Sequence, residues 1–503
     1  MRTVPVALLL CLSFFSPAYS QTEYLVFVEG AAFKPAAEKL AAHHGGMVVE
    51  FDSSNLEPVL NSAREHQPQF AAFVLPPEKI DVDLAHEILE LSVRVDEDIF
   101  VDYEYGFITG RDGDAASAFV DRIIAAHSEL PNNDDQRTAG FFGSWEGQML
   151  PPSMGSPAFE AMGFEAESRY VLVSDEAEKK QADARSALAG FAEKDALLFF
   201  SHGYPDQMVA CFDAQNLRDW DVNLNVPLLV NCSCYNGATG RWFAPGPGGP
   251  TDKGLVDPQE SVALQIIDSG VVCYFAGIDP WHGPLAIQVF DMVAGEGMRA
   301  GEAAKKMYDR LALDFAPELI DFPKTMEHPL RFSGEGTNNR RHNGGGMILY
   351  GDPAFRPFPD ATPKAFIEFS NEENNLIQLG TRPLMAGPAG DDFIIPMNIL
   401  LDYYSVKSSN IMEEIGMEFY RTVKVSDEWT EAPELTVSRI QLGHEEDQGA
   451  EITAKEPQAV LEHRVDGTYL HIRVPLGQRW MPPGLWPMRI AQEGALVELK
   501  VGG

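Results

Sequence analysis

The pattern of apolar and polar residues divides the chain into a long region of alternating strands and helices and a shorter region of strands. Between residues 23 and 95, apolar runs predict strands at Tyr24–Val28, Met47–Phe51 and Ala71–Leu75. Residues with helical spacing lie between them, at Lys34–His44 and Leu56–His66. Strands that alternate with helices predict an α/β fold, in which helices cover both faces of a parallel sheet.

The same alternation continues to about residue 311. Further strands are predicted at Phe107–Thr109, Thr138–Phe142, Tyr170–Val173, Ala196–Phe200, Pro227–Asn231 and Val271–Ala276. Further helices are predicted at Ala115–His127, Lys179–Ala192, Pro258–Asp268, Leu285–Val293 and Gly301–Leu311. Two long loops interrupt the pattern, Ser144–Ser156 and the Gly/Pro-rich Gly240–Gly254. Long loops inside an α/β domain are often functional, and a surface insertion is the alternative for the second one.

The pattern changes after Pro353. Pro357, Pro359 and Pro363 indicate a linker. Beyond it, short alternating runs such as the one at Ala365–Phe369 replace the helical spacing. We therefore expect a small antiparallel β-sandwich at the C-terminal end of the chain.

The first twenty residues have the features of a secretory signal peptide. Arg2 precedes an apolar run from Val6 to Phe15, and Ala18-Tyr19-Ser20 places small residues before Gln21. The run is too short for a bilayer span of about 20 residues, which disfavours the alternative of a membrane anchor. We expect a secreted or periplasmic protein with no transmembrane segment.

Charge excludes two classes of partner. The 503 residues include 75 acidic and 38 basic side chains, and the formal net charge is -37. Nucleic acids and anionic membrane surfaces require a basic face, so neither is an expected partner. The hydrophobic fraction of 45% is enough for a large core.

The cysteines of the exported chain are few. Cys211, Cys232, Cys234 and Cys273 remain after removal of the signal peptide. Four cysteines in a chain of this size do not make a disulfide framework. A cysteine that is retained in an oxidising compartment without a disulfide partner therefore suggests a role in catalysis.

Two predicted strands end at residues that can perform nucleophilic catalysis. The strand Ala196–Phe200 is followed by Ser201-His202-Gly203, and the next strand by Cys232-Ser233-Cys234. Neighbouring parallel strands bring their carboxyl ends to one edge of the sheet, where sites form. An imidazole there would generate the reactive thiolate. The backbone N–H groups of Gly203 and Cys234 would form an oxyanion hole. A zinc site is disfavoured because the spacing of Cys232 and Cys234 is too tight, and we expect no metal ligands.

These segments resemble the caspase-like cysteine peptidases, and within them the gingipain branch. The resemblance lies in Tyr105–Arg111 with the helix after it, in Phe200–Gly203, in Asn231–Gly237, in Ser261–Gly277 and in Leu349–Pro353. It covers about residues 23–358. It implies caspase/gingipain-like parallel sheets sandwiched by helices in two subdomains, residues 21–95 and 96–358, after a signal peptide at 1–20. An immunoglobulin-like domain follows in that family, which agrees with the β-sandwich predicted for residues 359–503.

The resemblance also implies roles for single residues. Its Cys-x-Asn-Gly pattern selects Cys234 as the nucleophile, with His202 as general base and acid. Glu146 falls where gingipains carry a glutamate close to the histidine, and a solvated loop carboxylate is the alternative. Trp281 falls where the family has a tryptophan lining the specificity pocket, and core packing is the alternative.

Other residues around the predicted site are candidates for contact with the substrate. Asn231 and Ser201 lie within the matching segments and are candidate substrate-binding residues with Trp281. Asp279 and His282 flank Trp281 and could set the polarity of the pocket instead.

The chain departs from the gingipain pattern in one respect. Gingipains specific for basic side chains use an aspartate shortly after the glutamate, and Gln148–Phe159 contains none. Specificity for Arg or Lys is therefore doubtful. No cofactor is expected, although the family often binds structural calcium. Asp112-Gly-Asp114 is the only hint of it, and two acidic residues fall short of a ligand loop and favour an ordinary turn.

The predicted function is a secreted cysteine endopeptidase that cleaves protein or peptide substrates through a His202–Cys234 dyad and an acyl-enzyme. Two alternatives remain. The chain could be a catalytically silent binding or assembly protein on the same fold. It could also be a transpeptidase or processing protease for one exported partner.

Overall fold

A computed structural model of the chain describes residues 23–128, 137–145, 159–160, 162–244, 251–279, 283–314, 346–369, 376–382, 403–406, 415–442, 456–476 and 494–502. Its centre is a ten-stranded sheet flanked by helices. The predicted signal peptide lies outside the described residues. No helix in the described part is long and apolar enough to cross a bilayer.

The N-terminal region of the structure alternates strands and helices as the sequence predicts. Its strands are β1 Tyr24–Val28, β2 Met47–Glu50, β3 Phe70–Val74 and β4 Glu104–Ile108. Its helices are α1 Lys34–His44, α2 Glu57–His66 and α3 Val82–Ser92, and α4 Gly113–Ser128 follows β4. The pattern did not predict α3, although Asp81 caps its N-terminus by accepting a hydrogen bond from the Leu84 N–H at 2.8 Å.

The following region supplies the other half of the sheet. Its strands are β5 Thr138–Trp145, β6 Glu165–Leu172, β7 Ala196–Phe200, the short β8 Gly203–Tyr204, β9 Gln207–Met208 and β10 Phe212–Asp213, then β11 Leu228–Cys232, β12 Arg241–Ala244, β13 Thr251–Leu255, β14 Cys273–Gly277 and β15 Met347–Tyr350. Its helices are α5 Ala177–Gly190, α6 Ala214–Asp219, α7 Val262–Asp268, α8 Gly283–Phe290 and α9 Ala300–Asp314. Much of the predicted loop Gly240–Gly254 is therefore the hairpin β12–β13, whose Gly254 adopts a positive φ of 83°.

One sheet joins the two predicted subdomains. The strand order is β2-β1-β3-β4-β15-β14-β11-β7-β5-β6. Strands β1 to β4 are parallel to one another, and so are β14, β11, β7, β5 and β6. The connecting strand β15 is antiparallel to β14 and faces β4 where Tyr350 lies opposite Phe107. The inner strands β1, β3, β4, β11 and β14 are buried along their whole length, which explains their apolar runs, whereas the edge strands β2 and β6 are partly exposed.

The described residues of the C-terminal region form strands and no helix. The strands are β16 Ala365–Phe369, β17 Leu376–Thr381, β18 Tyr403–Val406, β19 Ile415–Val425, β20 Leu435–Leu442, β21 Gln458–Arg464, β22 Gly467–Leu476 and β23 Ala495–Val501. They make two four-stranded antiparallel sheets, in the orders β16-β17-β23-β20 and β18-β19-β22-β21. An immunoglobulin-like identity for this region stays a prediction.

A buried ionic cluster fastens the C-terminal sheets to the central sheet. The Lys305 ammonium on α9 donates to Asp309 at 2.7 Å and to Glu462 on β21 at 2.8 Å. Glu462 also contacts His471 at 2.6 Å, and all four residues are buried. Breaking such a buried pair leaves an uncompensated charge, so the cluster holds the two regions in one arrangement.

Candidate active site

The two strands that carry the predicted dyad are direct neighbours. Strands β7 and β11 pair in parallel from Ala196 opposite Leu228 to Phe200 opposite Cys232. His202 and Cys234 each follow the last pair of this ladder by two residues. The pairing therefore places both residues at the carboxyl edge of the sheet, as the sequence predicts. His202 is exposed and Cys234 is partly buried.

Gly203 lets the histidine loop and the cysteine turn touch. A Cβ added at Gly203 would lie 2.7 Å from the Cys234 carbonyl oxygen and 2.8 Å from the Ser233 Cβ. Real Cβ atoms do not make such contacts, so only glycine fits there without a backbone shift. The backbone next to His202 thus lies directly against the backbone of Cys234.

The hairpin after His202 leaves the amide of Gly203 outside its ladder. The Val209 N–H donates to the His202 carbonyl at 2.8 Å, and Gly203 lies opposite Met208 in β9. Gly203 is therefore a non-hydrogen-bonded position of this antiparallel pair, and its N–H points away from β9. This N–H is therefore a donor that the hairpin does not use.

Asn236 holds the cysteine turn against the histidine hairpin. Its side-chain NH₂ donates to the carbonyls of Tyr204 and, at 2.9 Å, of Gln207. Its side-chain oxygen accepts from Asn231 at 3.1 Å. Because Asn236 is fully buried, these bonds are shielded from water. The sequence reasoning used Asn236 only as part of a pattern and assigned it no role; its place in Cys-x-Asn-Gly was the available signal.

Asn231 and Ser201 lie beneath the loops. Asn231 is fully buried, and its NH₂ also donates to the Tyr274 hydroxyl at 3.0 Å. The Ser201 hydroxyl donates to the Val209 carbonyl at 2.8 Å and lies 2.6 Å from the Ser144 hydroxyl. These bonds fix the backbone on either side of His202 and Cys234. A substrate contact for either residue stays a prediction.

The backbone beside Cys234 is strained. Tyr235 has a φ of 61°, in the left-handed region that non-glycine residues rarely occupy. Strain of this kind persists only where the surroundings over-determine it, and it clusters at functional sites. The turn after Cys234 is further fixed by the Gly237 N–H, which donates to the Gly277 carbonyl at 2.7 Å at the end of β14.

Aromatic rings that the sequence reasoning missed lie beside the turn. Trp242 on β12 packs against Tyr235, with ring centroids 5.3 Å apart, and against Tyr204, with centroids 6.1 Å apart. Tyr204 is 43% exposed. Trp242 lies in the predicted loop Gly240–Gly254, and an aromatic residue in that Gly/Pro-rich stretch was the available signal.

Burial separates the cysteines. Burial raises the pKa of Cys211 to about 12, against hydrogen bonds from Ser201 and Ser144 that lower it. Burial likewise raises the pKa of Cys232 and of Cys273 far above the ordinary thiol value. In the part of the chain that the structure describes, none of the four is in a disulfide. The three buried thiols therefore stay protonated at neutral pH, and only Cys234 reaches the surface.

The remaining predicted site residues are placed only in part. Glu146, Trp281 and His282 lie outside the described residues. Strand β5 ends at Trp145, and its Gly143 pairs with Phe200 of β7. Asp279 is partly buried two residues after β14.

Three solved structures resemble the chain at low similarity. One is described as the structure of a protease; it shares 11% identity over 72% of this chain and 84% of its own, with a TM-score of 0.43. Another is the complex of the RgpB pro- and mature domains from Porphyromonas gingivalis, with 10% identity over 71% and 86% and a TM-score of 0.40. The third is the Arg-specific cysteine proteinase gingipain R, with 10% identity over 72% and 84% and a TM-score of 0.40.

Sequence comparison adds nothing further: no family model and no curated protein matches the chain. Matches at 10–11% identity and TM-scores near 0.4 establish neither its family nor its activity. The gingipain resemblance stays a prediction, and the case for a function rests on the residues at the sheet edge.

Proposed function

We propose that this protein is an exported cysteine endopeptidase with a His202–Cys234 dyad. The supporting observation is the parallel register of β7 and β11, which brings the loops that follow these strands to one edge, where they touch at Gly203. A cysteine beside a histidine at an exposed edge is the arrangement in which a thiolate attacks a carbonyl carbon.

In the proposed reaction, His202 takes the proton of the Cys234 thiol, and the thiolate attacks the scissile carbonyl. His202 then gives that proton to the leaving amine, and an acyl-enzyme remains. Water hydrolyses the acyl-enzyme with His202 as the base, which releases the acid and restores the thiol. Glu146 would orient the imidazole and stabilise its charged form.

The Gly203 amide is one half of the proposed oxyanion hole. The hairpin geometry supports this role because the β8–β9 ladder does not use that N–H. The Cys234 N–H is the second donor. Each such donor contributes a factor of about 10²–10³ to the rate in enzymes where one has been removed.

The side chain next to the scissile bond would pack on an aromatic wall. Tyr204 and Trp242 line the region beside Cys234, and Trp281 is the further candidate from the sequence. With no aspartate in Gln148–Phe159, an apolar or aromatic residue fits this wall better than Arg or Lys.

The first experiment is alkylation of the purified protein with an iodoacetamide probe, followed by peptide mapping. We expect labelling at Cys234 to be fast and to slow roughly tenfold or more in His202→Ala, because the imidazole generates the thiolate. His66→Ala is the matched control, since His66 ends α2 away from the dyad, and its labelling should equal that of the unaltered protein.

Equal, slow labelling of all the cysteines in both His202→Ala and the unaltered protein would contradict the proposal and favour the silent binding module. If Cys234 is reactive, a peptide library with product analysis separates hydrolysis from transpeptidation. Hydrolysis gives two free ends, whereas a transpeptidase joins the acyl part to an added amine.

A further inference from the structure

A second group of histidines lies at the opposite edge of the sheet from the dyad. His43 and His44 end helix α1, and His127 lies in the last turn of α4. Their ring centroids are 4.6, 5.0 and 5.4 Å apart. One ring nitrogen from each residue falls within 4.8 Å of the others. The sequence reasoning assigned none of these residues a role.

Two contacts identify the edge of the sheet at which the three histidines lie. His44 stacks on Tyr24, the first residue of β1, with ring centroids 4.1 Å apart. At the other edge, Thr239 beyond the cysteine turn donates to the Pro77 carbonyl at 2.8 Å, just after the end of β3. Since β1 and β3 are parallel, the histidines lie at the amino-terminal edge and the dyad at the carboxyl edge.

A buried carboxylate orients two of the three rings. Asp352 is 1% exposed, and its Oδ2 lies 2.6 Å from the His44 Nε2 and 2.8 Å from the His127 Nε2. Its other oxygen accepts from the Tyr24 hydroxyl at 2.7 Å. Because an ionised carboxylate only accepts, both Nε2 atoms donate to Asp352 in the metal-free protein, and a metal ion would take the lone pair that each neutral ring keeps.

We propose that His43, His44 and His127 bind a divalent transition-metal ion of the Zn²⁺ type, with Asp352 as the carboxylate that orients the ligands. Neutral imidazole is the ligand that Zn²⁺, Cu²⁺ and Ni²⁺ share, and a carboxylate behind a ligating histidine is the usual support of such sites. Three histidines and a fourth position open to water complete a tetrahedral set.

The positions of the two helices support a cation at this cluster. The carboxyl ends of α1 and α4 both meet here, and the negative end of a helix dipole favours a cation.

The buried cluster at Lys305 differs from the histidine cluster in its charge balance. Asp309, Glu462 and His471 also lie within ligand distance of one another. There the Lys305 ammonium already supplies the positive charge, at 2.7 and 2.8 Å from the two carboxylates. The histidine cluster has a carboxylate and ring nitrogens but no such ammonium among the contacts described for it.

The test is calorimetric titration of the EDTA-treated protein with ZnCl₂. A Cys234→Ala background is used because a thiol and an imidazole at the dyad would also bind zinc. We expect one equivalent bound with a Kd of about 1 μM or tighter. His43→Ala should weaken that equivalent by more than a hundredfold, and an exposed position makes this variant safe for folding.

Two further variants separate the ligands from general histidine effects. Asp352→Asn should weaken zinc binding about 10- to 100-fold, as expected for the loss of an orienting carboxylate. His66→Ala should leave it unchanged. Zinc should also raise the melting temperature of the background protein and not that of His43→Ala, because a ligand stabilises the state that binds it.

Two results would overturn the proposal. One is a background protein that binds no equivalent of zinc in this range. The other is a His43→Ala protein, folded by circular dichroism, that binds zinc with the affinity and stoichiometry of the background. Neither result bears on the dyad, since Cys234 is absent throughout.

Discussion

The central sheet carries histidines at both edges, and the two edges are built differently. At the carboxyl edge, the backbone places His202: Gly203 lies against Cys234, and the hairpin pairs through main-chain bonds. At the amino-terminal edge, a side chain places His44 and His127, because both Nε2 atoms contact the buried Asp352. Backbone placement leaves an imidazole on the surface, where it can move protons, whereas a carboxylate commits it to one tautomer. The same residue type therefore serves two chemistries.

The pKa values of two carboxyl groups, those of Asp352 and Asp98, shift in opposite directions. Burial alone would raise the pKa of Asp352, but the hydrogen bonds from His127 and His44 outweigh it and hold the pKa well below its ordinary value. Burial, and then the charge of Asp96, raises the pKa of Asp98 to about 8. Partners, and not depth alone, decide whether a buried carboxyl is charged.

The largest expected effect separates the two neighbouring cysteines of the carboxyl edge. Cys234→Ala should abolish peptide hydrolysis, a loss of at least about 10³-fold, because the nucleophile is gone. Cys232→Ala, the matched control two residues earlier, removes a buried thiol and should keep most of the activity of the folded protein. Turnover of a library-derived peptide measures both. Hydrolysis that survives in Cys234→Ala and fails in Cys232→Ala would reassign the nucleophile.

The next test removes the carboxylate that contacts His44 and His127 at the amino-terminal edge. Asp352→Asn should destabilise the metal-free protein by about 3–5 kcal/mol, because two histidines lose a buried carboxylate. The control is Asp121→Asn, which removes an exposed pair with Lys39 that also joins α1 to α4 and should change stability by less than about 1 kcal/mol. Urea unfolding measures the difference. Equal, small changes in the two variants would mean that Asp352 does not hold this edge together.

A smaller effect tests the backbone contact at the carboxyl edge. Gly203→Ala should lower the turnover of a peptide substrate by about 10²-fold, because its Cβ would meet the Cys234 carbonyl oxygen and shift the Gly203 N–H from the oxyanion hole. Gly190→Ala is the matched control: nothing lies within 4 Å of a Cβ there, at the end of α5. It should leave the rate unchanged and stabilise the helix slightly. Equal rates in the two variants would remove Gly203 from the site.

The smallest effect concerns the pH dependence of stability that follows from the raised pKa of Asp98. The pKa of Asp98 is raised, so between about pH 4 and pH 8 the folded state holds a proton that the unfolded state has released. Stability from this group is present below about pH 4 and is lost as the pH rises towards 8. The slope is at most about 1.4 kcal/mol per pH unit for one proton.

Asp98→Asn should flatten that slope, measured as the free energy of unfolding at several pH values between 5 and 8. Asp83→Asn, at an exposed carboxyl in the first turn of α3, is the control and should retain it. A slope that persists unchanged in Asp98→Asn would assign the pH dependence to another group.

Much of the fold could be predicted from apolar runs. The predicted segments Tyr24–Val28, Lys34–His44 and Ala196–Phe200 agree residue for residue with β1, α1 and β7. Strands buried on both faces leave a strong apolar signal, and Gly45, with a φ of 63°, marks the end of α1. The hairpin in Gly240–Gly254 was missed because Gly and Pro hide a short strand pair on the surface.

The candidate site was likewise predicted from the sequence only in part. The order of strands along the chain was enough to predict that His202 and Cys234 share an edge, since carboxyl ends of parallel strands meet. Asn236 and Trp242 were not predicted as site residues, because their roles depend on partners 29 or more residues away or on a hairpin that brings the ring to the turn.

By itself, the sequence determined the alternation of strands and helices, the acidic charge, and the presence of a histidine and a cysteine at two strand ends. Only the tertiary structure decided that one ten-stranded sheet unites the region before β5 with the region after it, through β15. It alone gathered His44, His127 and Asp352, which are up to 308 residues apart in sequence. The reason is physical: periodicity reports how each segment is buried, whereas the choice of which segments meet depends on contacts that no local pattern encodes.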